Sequence, residues 1–126
     1  MTGKGEFDVK LTPQPGEDRT LGRLLIDKQF HGALNARSKG EMLSVGTSVK
    51  GSAGYVAMEA VNGALHGKSG TFVLQHSGTM NRGEAQLSVT VVPDSGTGEL
   101  AGLAGKMDIK IAGGKHFYEF DYTLPA

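Results

Sequence analysis

The stretch that decides the fold is KMDIKIAGGKHFYEFDYTL, residues 106–124. In its first half, methionine and isoleucine alternate with charged residues, which is the period-two pattern of a strand with one buried face. Gly113 and Gly114 follow, and two glycines can both adopt the positive φ that a two-residue hairpin turn requires. Aromatic and polar residues then alternate from His116 onward. The stretch therefore predicts a β-hairpin made of the last two strands of the chain.

The same alternation continues toward the N-terminus, where glycine-rich turns separate the apolar stretches, and one of these turns is predicted at Lys39-Gly40. No segment has the period of a long amphipathic helix. The predicted strands are residues 6–11, 22–38, 41–49, 55–65, 71–79, 86–92, 106–112 and 116–124. Strands joined in order by short turns can close on themselves and so remove exposed edges. We predict one all-β domain over residues 1–126, a closed antiparallel eight-stranded barrel with little helix; a two-sheet sandwich is the alternative.

Composition excludes several classes of function. The chain has 126 residues and no cysteine, so thiolate nucleophiles, iron–sulfur clusters and cysteine zinc sites are excluded. Thirteen basic residues balance thirteen acidic ones and are scattered, which argues against nucleic acid as a partner. No apolar run approaches the roughly 20 residues of a membrane helix, and the first residues do not resemble a signal peptide. We therefore expect a cytoplasmic protein with no membrane partner.

Glu59 and His76 form the best candidate for a catalytic pair. If Gly67-Lys68 is the turn between the fourth and fifth strands, Glu59 lies directly opposite His76. Their side of the hairpin is apolar and is expected to face inward. A carboxylate beside an imidazole on an apolar face can act as a base with its orienting group. The alternative is a buried ion pair without chemistry.

Four aromatic or aliphatic residues are expected to line a ligand pocket inside the barrel. Tyr55, Phe72 and Leu74 share the inward face of the same hairpin, and Tyr118 comes from the last strand. Metal and cofactor sites are not predicted, because the four histidines have no spacing typical of a metal site.

Two further motifs have ordinary structural explanations. Asp27, Gln29 and His31 share one side of the second strand, where they form either a pocket mouth or, by preference, the solvent face. Residues 96–101 match the G-x-G-x-x-A spacing of a dinucleotide fingerprint, but no long helix follows them. We interpret that stretch as a turn-forming loop.

Two long runs resemble the signature of the DUF3224 family of uncharacterised bacterial proteins. They are GALHGKSGTFVLQHSG at residues 63–78 and VVPDSGTGELAGLAG at residues 91–105, and KQFHG at residues 28–32 fits as well. The resemblance implies a barrel like that of allene oxide cyclases and lipocalins. It carries no established activity.

The leading expectation is a barrel that binds one small, largely apolar molecule, with isomerase or cyclase activity as its catalytic form. The alternative is a non-catalytic structural or interaction protein with a filled barrel. The sequence leaves open whether the chain is an enzyme and whether it forms a homo-oligomer.

Overall fold

Eight antiparallel strands close into one barrel in the computed structural model, which describes residues 1–15 and 21–125. Each strand pairs with the next one in the chain, and β1 pairs with β8 to complete the ring. The strands are β1 (Thr2–Pro13), β2 (Gly22–Gly32), β3 (Leu34–Gly46), β4 (Ala53–Leu65), β5 (Lys68–Asn81), β6 (Glu84–Val91), β7 (Ala104–Ala112) and β8 (Lys115–Thr123). The prediction of an eight-stranded barrel is confirmed. A 3-10 turn, Gly98–Leu100, is the helical element among the described residues, and no helix there is long and apolar enough to cross a membrane.

The predicted boundary between the second and third strands is wrong. The chain turns at Gly32, whose φ of 99° is accessible mainly to glycine, and β3 begins at Leu34. Gly40, predicted as a turn residue, lies in the middle of β3. A side chain at Gly40 would place its Cβ 2.1 Å from the carbonyl oxygen of Met58. This glycine therefore permits close approach of two strands and does not form a turn.

The predicted turn between β4 and β5 is also wrong, by one position. His66 and Gly67 occupy it, with φ values of 46° and 81°, and Leu65 pairs with Lys68. Histidine tolerates positive φ better than most residues, which the Gly67-Lys68 assignment did not take into account. The correction moves every partner by two positions. A two-residue shift preserves which side chains point inward.

One end of the barrel is closed by packed side chains. Phe30, Phe72 and Phe120 are fully buried there. The connection between β6 and β7 folds across this end and contributes Leu100 and Leu103 to the same core. Its backbone is tied to β5 by a hydrogen bond from the Thr97 amide to the Thr71 carbonyl oxygen. The closed end therefore has a continuous apolar core.

The wall of the barrel is weakest between β6 and β7. The ladder of these two described strands consists of one pair, Thr90 with Lys106. Beyond that pair, β7 continues to its hairpin turn with β8, where Gly113 and Gly114 both have positive φ as predicted. We call this gap between β6 and β7 the seam.

Candidate functional site

The half of the barrel away from the packed end contains a cavity of about 580 Å³ that is open to solvent. Its walls are mainly apolar side chains that the strand alternation points inward. Several of these side chains are nevertheless exposed, because the barrel interior there is not filled by protein atoms of the described residues. The exposed inward-facing residues are Leu11, Met80, Leu87 and Ile111.

A buried polar cluster forms the floor of this cavity, at the boundary with the packed half. Its centre is the carboxylate of Glu59, which is fully buried. Oε1 accepts a hydrogen bond from His76 Nε2 at 2.8 Å and another from Lys28 Nζ at 3.0 Å. Oε2 accepts a hydrogen bond from the Ser38 hydroxyl. We call Lys28, Ser38, Glu59 and His76 the floor cluster.

The charge of Glu59 is fixed by these partners. Burial by itself would raise the pKa of the Glu59 carboxyl. The hydrogen bond from His76, the charge of Lys28 and the hydrogen bond from Ser38 outweigh burial, so the pKa lies below its ordinary value. The carboxylate is therefore ionised at neutral pH and acts as an acceptor for the groups around it.

His76 is held in a defined orientation between Glu59 and Tyr55. Because the ionised carboxylate can only accept, Nε2 carries the proton of that bond. In the neutral ring Nδ1 is then an acceptor, and it lies 3.4 Å from the Tyr55 hydroxyl, which is long for a hydrogen bond. Burial, followed by the charge of Glu59, raises the pKa of Tyr55. Tyr55 thus stays a neutral phenol and can donate.

The predicted contact between Glu59 and His76 is confirmed, although the two residues are not directly opposite each other. Glu59 pairs with Leu74, and His76 pairs with Ala57. The side chains meet along the diagonal of the ladder, which long side chains can span. The two side chains still meet because a register shift of two residues leaves both of them on the inward face of the sheet.

Of the four residues predicted to line a pocket, Tyr55 lines the cavity and three do not. Phe72 and Leu74 belong to the packed core of the closed end. Tyr118 is buried, and its hydroxyl accepts from the Leu34 amide at 2.8 Å and donates to the His31 carbonyl at 2.7 Å. This hydroxyl holds the turn between β2 and β3. The assignment of Phe72, Leu74 and Tyr118 to the cavity is therefore not supported by their positions.

Sequence reasoning missed Lys28 and Ser38. Lys28 lies on the same side of β2 as Ile26 and Phe30, so it faces inward with them. That position was the available signal: a lysine on an otherwise apolar face needs a buried partner. Ser38 was missed because the sequence predicted that the second strand ends at this residue. In the structure Ser38 lies in the middle of β3, which directs its hydroxyl at Glu59.

The remaining candidates lie away from the cavity floor. On the outer surface, His31 Nε2 is 3.1 Å from an Asp8 carboxylate oxygen, in agreement with the solvent-face interpretation. Residues 96–101 form the loop with the 3-10 turn at the closed end. Among the residues described by the structure, no group of three or more potential metal ligands occurs.

Comparison with known proteins identifies relatives of this chain. The family described as "Protein of unknown function (DUF3224)" matches residues 3–122. A crystal structure of a protein of unknown function from the DUF3224 family of Shewanella oneidensis MR-1 is 54% identical in sequence. That alignment covers 100% of this chain and 98% of the other, with a TM-score of 0.94. No curated protein matches the chain.

Proposed function

We propose, for a chain that belongs to the DUF3224 family, that the barrel binds one small, largely apolar molecule in its cavity. The observation that carries the proposal is the pairing of an unfilled apolar interior with a polar floor. Large inward-facing side chains such as Leu87 and Ile111 are exposed around a space of about 580 Å³. Sites for small molecules combine apolar walls with a few placed polar groups in this way.

The alternative is a non-catalytic structural or interaction protein with a filled barrel. The packed half of the barrel favours it, since aromatic side chains fill the interior there as in small closed barrels. The other half favours ligand binding, because exposed apolar side chains around a cavity are stabilised when a ligand covers them. The alternative predicts that the cavity accepts no ligand.

The catalytic form of the proposal is isomerase or cyclase activity. Cyclisation and isomerisation of an apolar molecule need a dry enclosure of fixed shape and one or two groups that move protons. The Glu59–His76 pair supplies such a group at the floor. Likeness to allene oxide cyclase barrels is an argument from fold alone and names no substrate.

Binding is tested with N-phenyl-1-naphthylamine, a dye that fluoresces in apolar surroundings. We expect one dye molecule per chain. Ser44→Trp places an indole in the cavity and should weaken dye binding at least tenfold, whereas Ser88→Trp is the matched control on the outer face of β6. Equal dye affinity in both variants, or no saturable dye binding to the unaltered chain, would contradict the proposal and favour the filled-barrel alternative.

A further inference from the structure

The cavity floor places a base beside a cation, and we propose that the barrel catalyses proton transfer at a carbon next to the carbonyl of an apolar ketone. His76 is the base, and Lys28 binds the carbonyl oxygen. This inference rests on the proposed ligand-binding function and names the chemistry of the ligand. It is argued from the geometry of the floor cluster.

The base is Nδ1 of His76. The 2.8 Å bond from Nε2 to Glu59 fixes the tautomer, so Nδ1 of the neutral ring carries a lone pair. The nearest polar contact of Nδ1 among the described residues is the Tyr55 hydroxyl at 3.4 Å, and both residues line the cavity. At that length the Tyr55 hydroxyl competes only weakly for the lone pair, and the ring borders the cavity. Glu59 orients the ring through this bond, so it is a positioning residue.

Lys28 provides the group that holds the carbonyl. An ammonium has three N–H donors, and within the described residues Lys28 Nζ makes one hydrogen bond, to Glu59. Nζ also lies 4.7 Å from the centre of the Phe7 ring, and the side chain lines the cavity. At least one donor is therefore free for a ligand oxygen. Lys28 and His76 bind the same carboxylate oxygen, so they are immediate neighbours.

The charges favour this reaction because they stay balanced throughout it. Before the step, the Lys28 ammonium offsets the Glu59 carboxylate, and the ring and ketone are neutral. When the C–H bond breaks, its proton goes to Nδ1 and its electron pair forms the enolate, whose negative oxygen is held by Lys28. The imidazolium lies against Glu59. Each new charge therefore has an opposite charge beside it, without any charge entering or leaving the apolar cavity.

The same requirement for balanced charge disfavours a carboxylate ligand. A second anion at the floor would leave a net negative charge in an apolar enclosure unless a proton accompanied it. A neutral carbonyl needs no such proton. In the return step, the imidazolium gives the proton back to carbon, either at its original position or at the far end of a neighbouring double bond. The second outcome is an isomerisation.

The experiment measures hydrogen–deuterium exchange of 2-tetralone in D₂O by proton NMR. General-base catalysis is worth about 10²–10⁴-fold, so we expect the protein to accelerate exchange next to the carbonyl at least hundredfold over buffer. His76→Gln keeps an amide donor for Glu59 but removes the basic nitrogen, and it should return exchange to the buffer rate. Lys28→Met should lower the rate at least tenfold. His31→Gln, a change at the outer-surface histidine that lies against Asp8, is the control and should keep full activity.

The outcomes separate this inference from the function on which it rests. If 2-tetralone displaces the dye but exchange stays at the buffer rate, proton transfer is overturned and ligand binding stands. If neither dye nor ketone binds, the proposed function is overturned, and this inference falls with it. Full activity in His76→Gln, or in Lys28→Met, overturns the role given to that residue. Dye binding shows that each variant retains its folded cavity.

Discussion

Replacing Glu59 with glutamine tests the charge balance of the floor cluster. Lys28 Nζ lies 3.0 Å from Glu59 Oε1, and the two side chains are 7% and 0% exposed. At that separation and an effective dielectric constant of about 20, the attraction is about 5.5 kcal/mol. Glu59→Gln removes this attraction but leaves the ammonium buried. We expect the free energy of unfolding to fall by about 3–5 kcal/mol, as for other broken buried ion pairs.

Replacing Lys28 should lower the free energy of unfolding by less than replacing Glu59 does. In Lys28→Met the Glu59 carboxylate keeps its hydrogen bonds from His76 and Ser38. We therefore expect a loss of about 1.5–3 kcal/mol, the worth of one hydrogen bond to a charged group. The double variant has neither charge to leave unpaired. Its loss should be smaller than the sum of the two single losses by about 2 kcal/mol.

Urea unfolding followed by circular dichroism at pH 7 measures all four proteins of this cycle. Glu41→Gln is the matched control, because Glu41 pairs with Arg23 on the barrel exterior, where the side chains are 56% and 43% exposed. An exposed pair should cost no more than about 1 kcal/mol. Additivity of Lys28→Met and Glu59→Gln within about 0.5 kcal/mol would refute the proposed pairing.

Three further predictions concern pH, the packed end and the seam. Because the pKa of Glu59 is lowered in the folded state, its contribution to stability is fully present above the ordinary value of 4.5 and is lost as pH falls through the lower folded value. In urea titrations from pH 7 to 3, the difference in free energy of unfolding between the unaltered chain and Glu59→Gln should therefore shrink only below about pH 4.5. A difference that stays constant over this range would contradict the prediction. Tyr118→Phe leaves the buried Leu34 amide without its acceptor and should lower the free energy of unfolding by about 1–3 kcal/mol without changing dye affinity. A large change in dye affinity would instead indicate that Tyr118 lines the cavity. The single β6–β7 pair predicts that amides of residues 85–88 exchange faster in native-state hydrogen exchange than those in the middle of β4, and equal protection would argue for a continuous ladder.

Alternation in the sequence determines which side chains face inward but not how deep they lie. Phe72, Leu74 and His76 occupy successive inward positions of β5, and the sequence treats them alike. In the barrel, the first two lie in the packed half and the third lies at the cavity floor. Depth depends on the stagger of neighbouring strands, which in a barrel is set by closure of the whole ring. A single hairpin carries no such information.

Glycine is the other source of error, because the same residue serves two opposite purposes. Gly32 supplies positive φ at a turn, and Gly40 supplies space in the middle of a strand. Both lie within long stretches whose side chains alternate between the two faces of the sheet, so local sequence does not separate them. The mistaken turn at Gly40 in turn hid Ser38, and with it one of the three donors to Glu59.

The location of the floor cluster indicates a functional role, whereas a gain in stability would not explain why these polar residues are buried. A buried ionic cluster is often no more stable than apolar side chains of the same volume, and here burial works against ionisation of Glu59. The packed half of the barrel shows that this chain fills an interior with aromatic and aliphatic side chains where only packing is needed. The charged groups are instead placed where the packed half ends and the cavity begins. Lys28 and His76 face that cavity, while the carboxylate that orients both is hidden behind them. On the proposed function, this arrangement directs donor and acceptor groups at the ligand and keeps their counter-charge out of its reach.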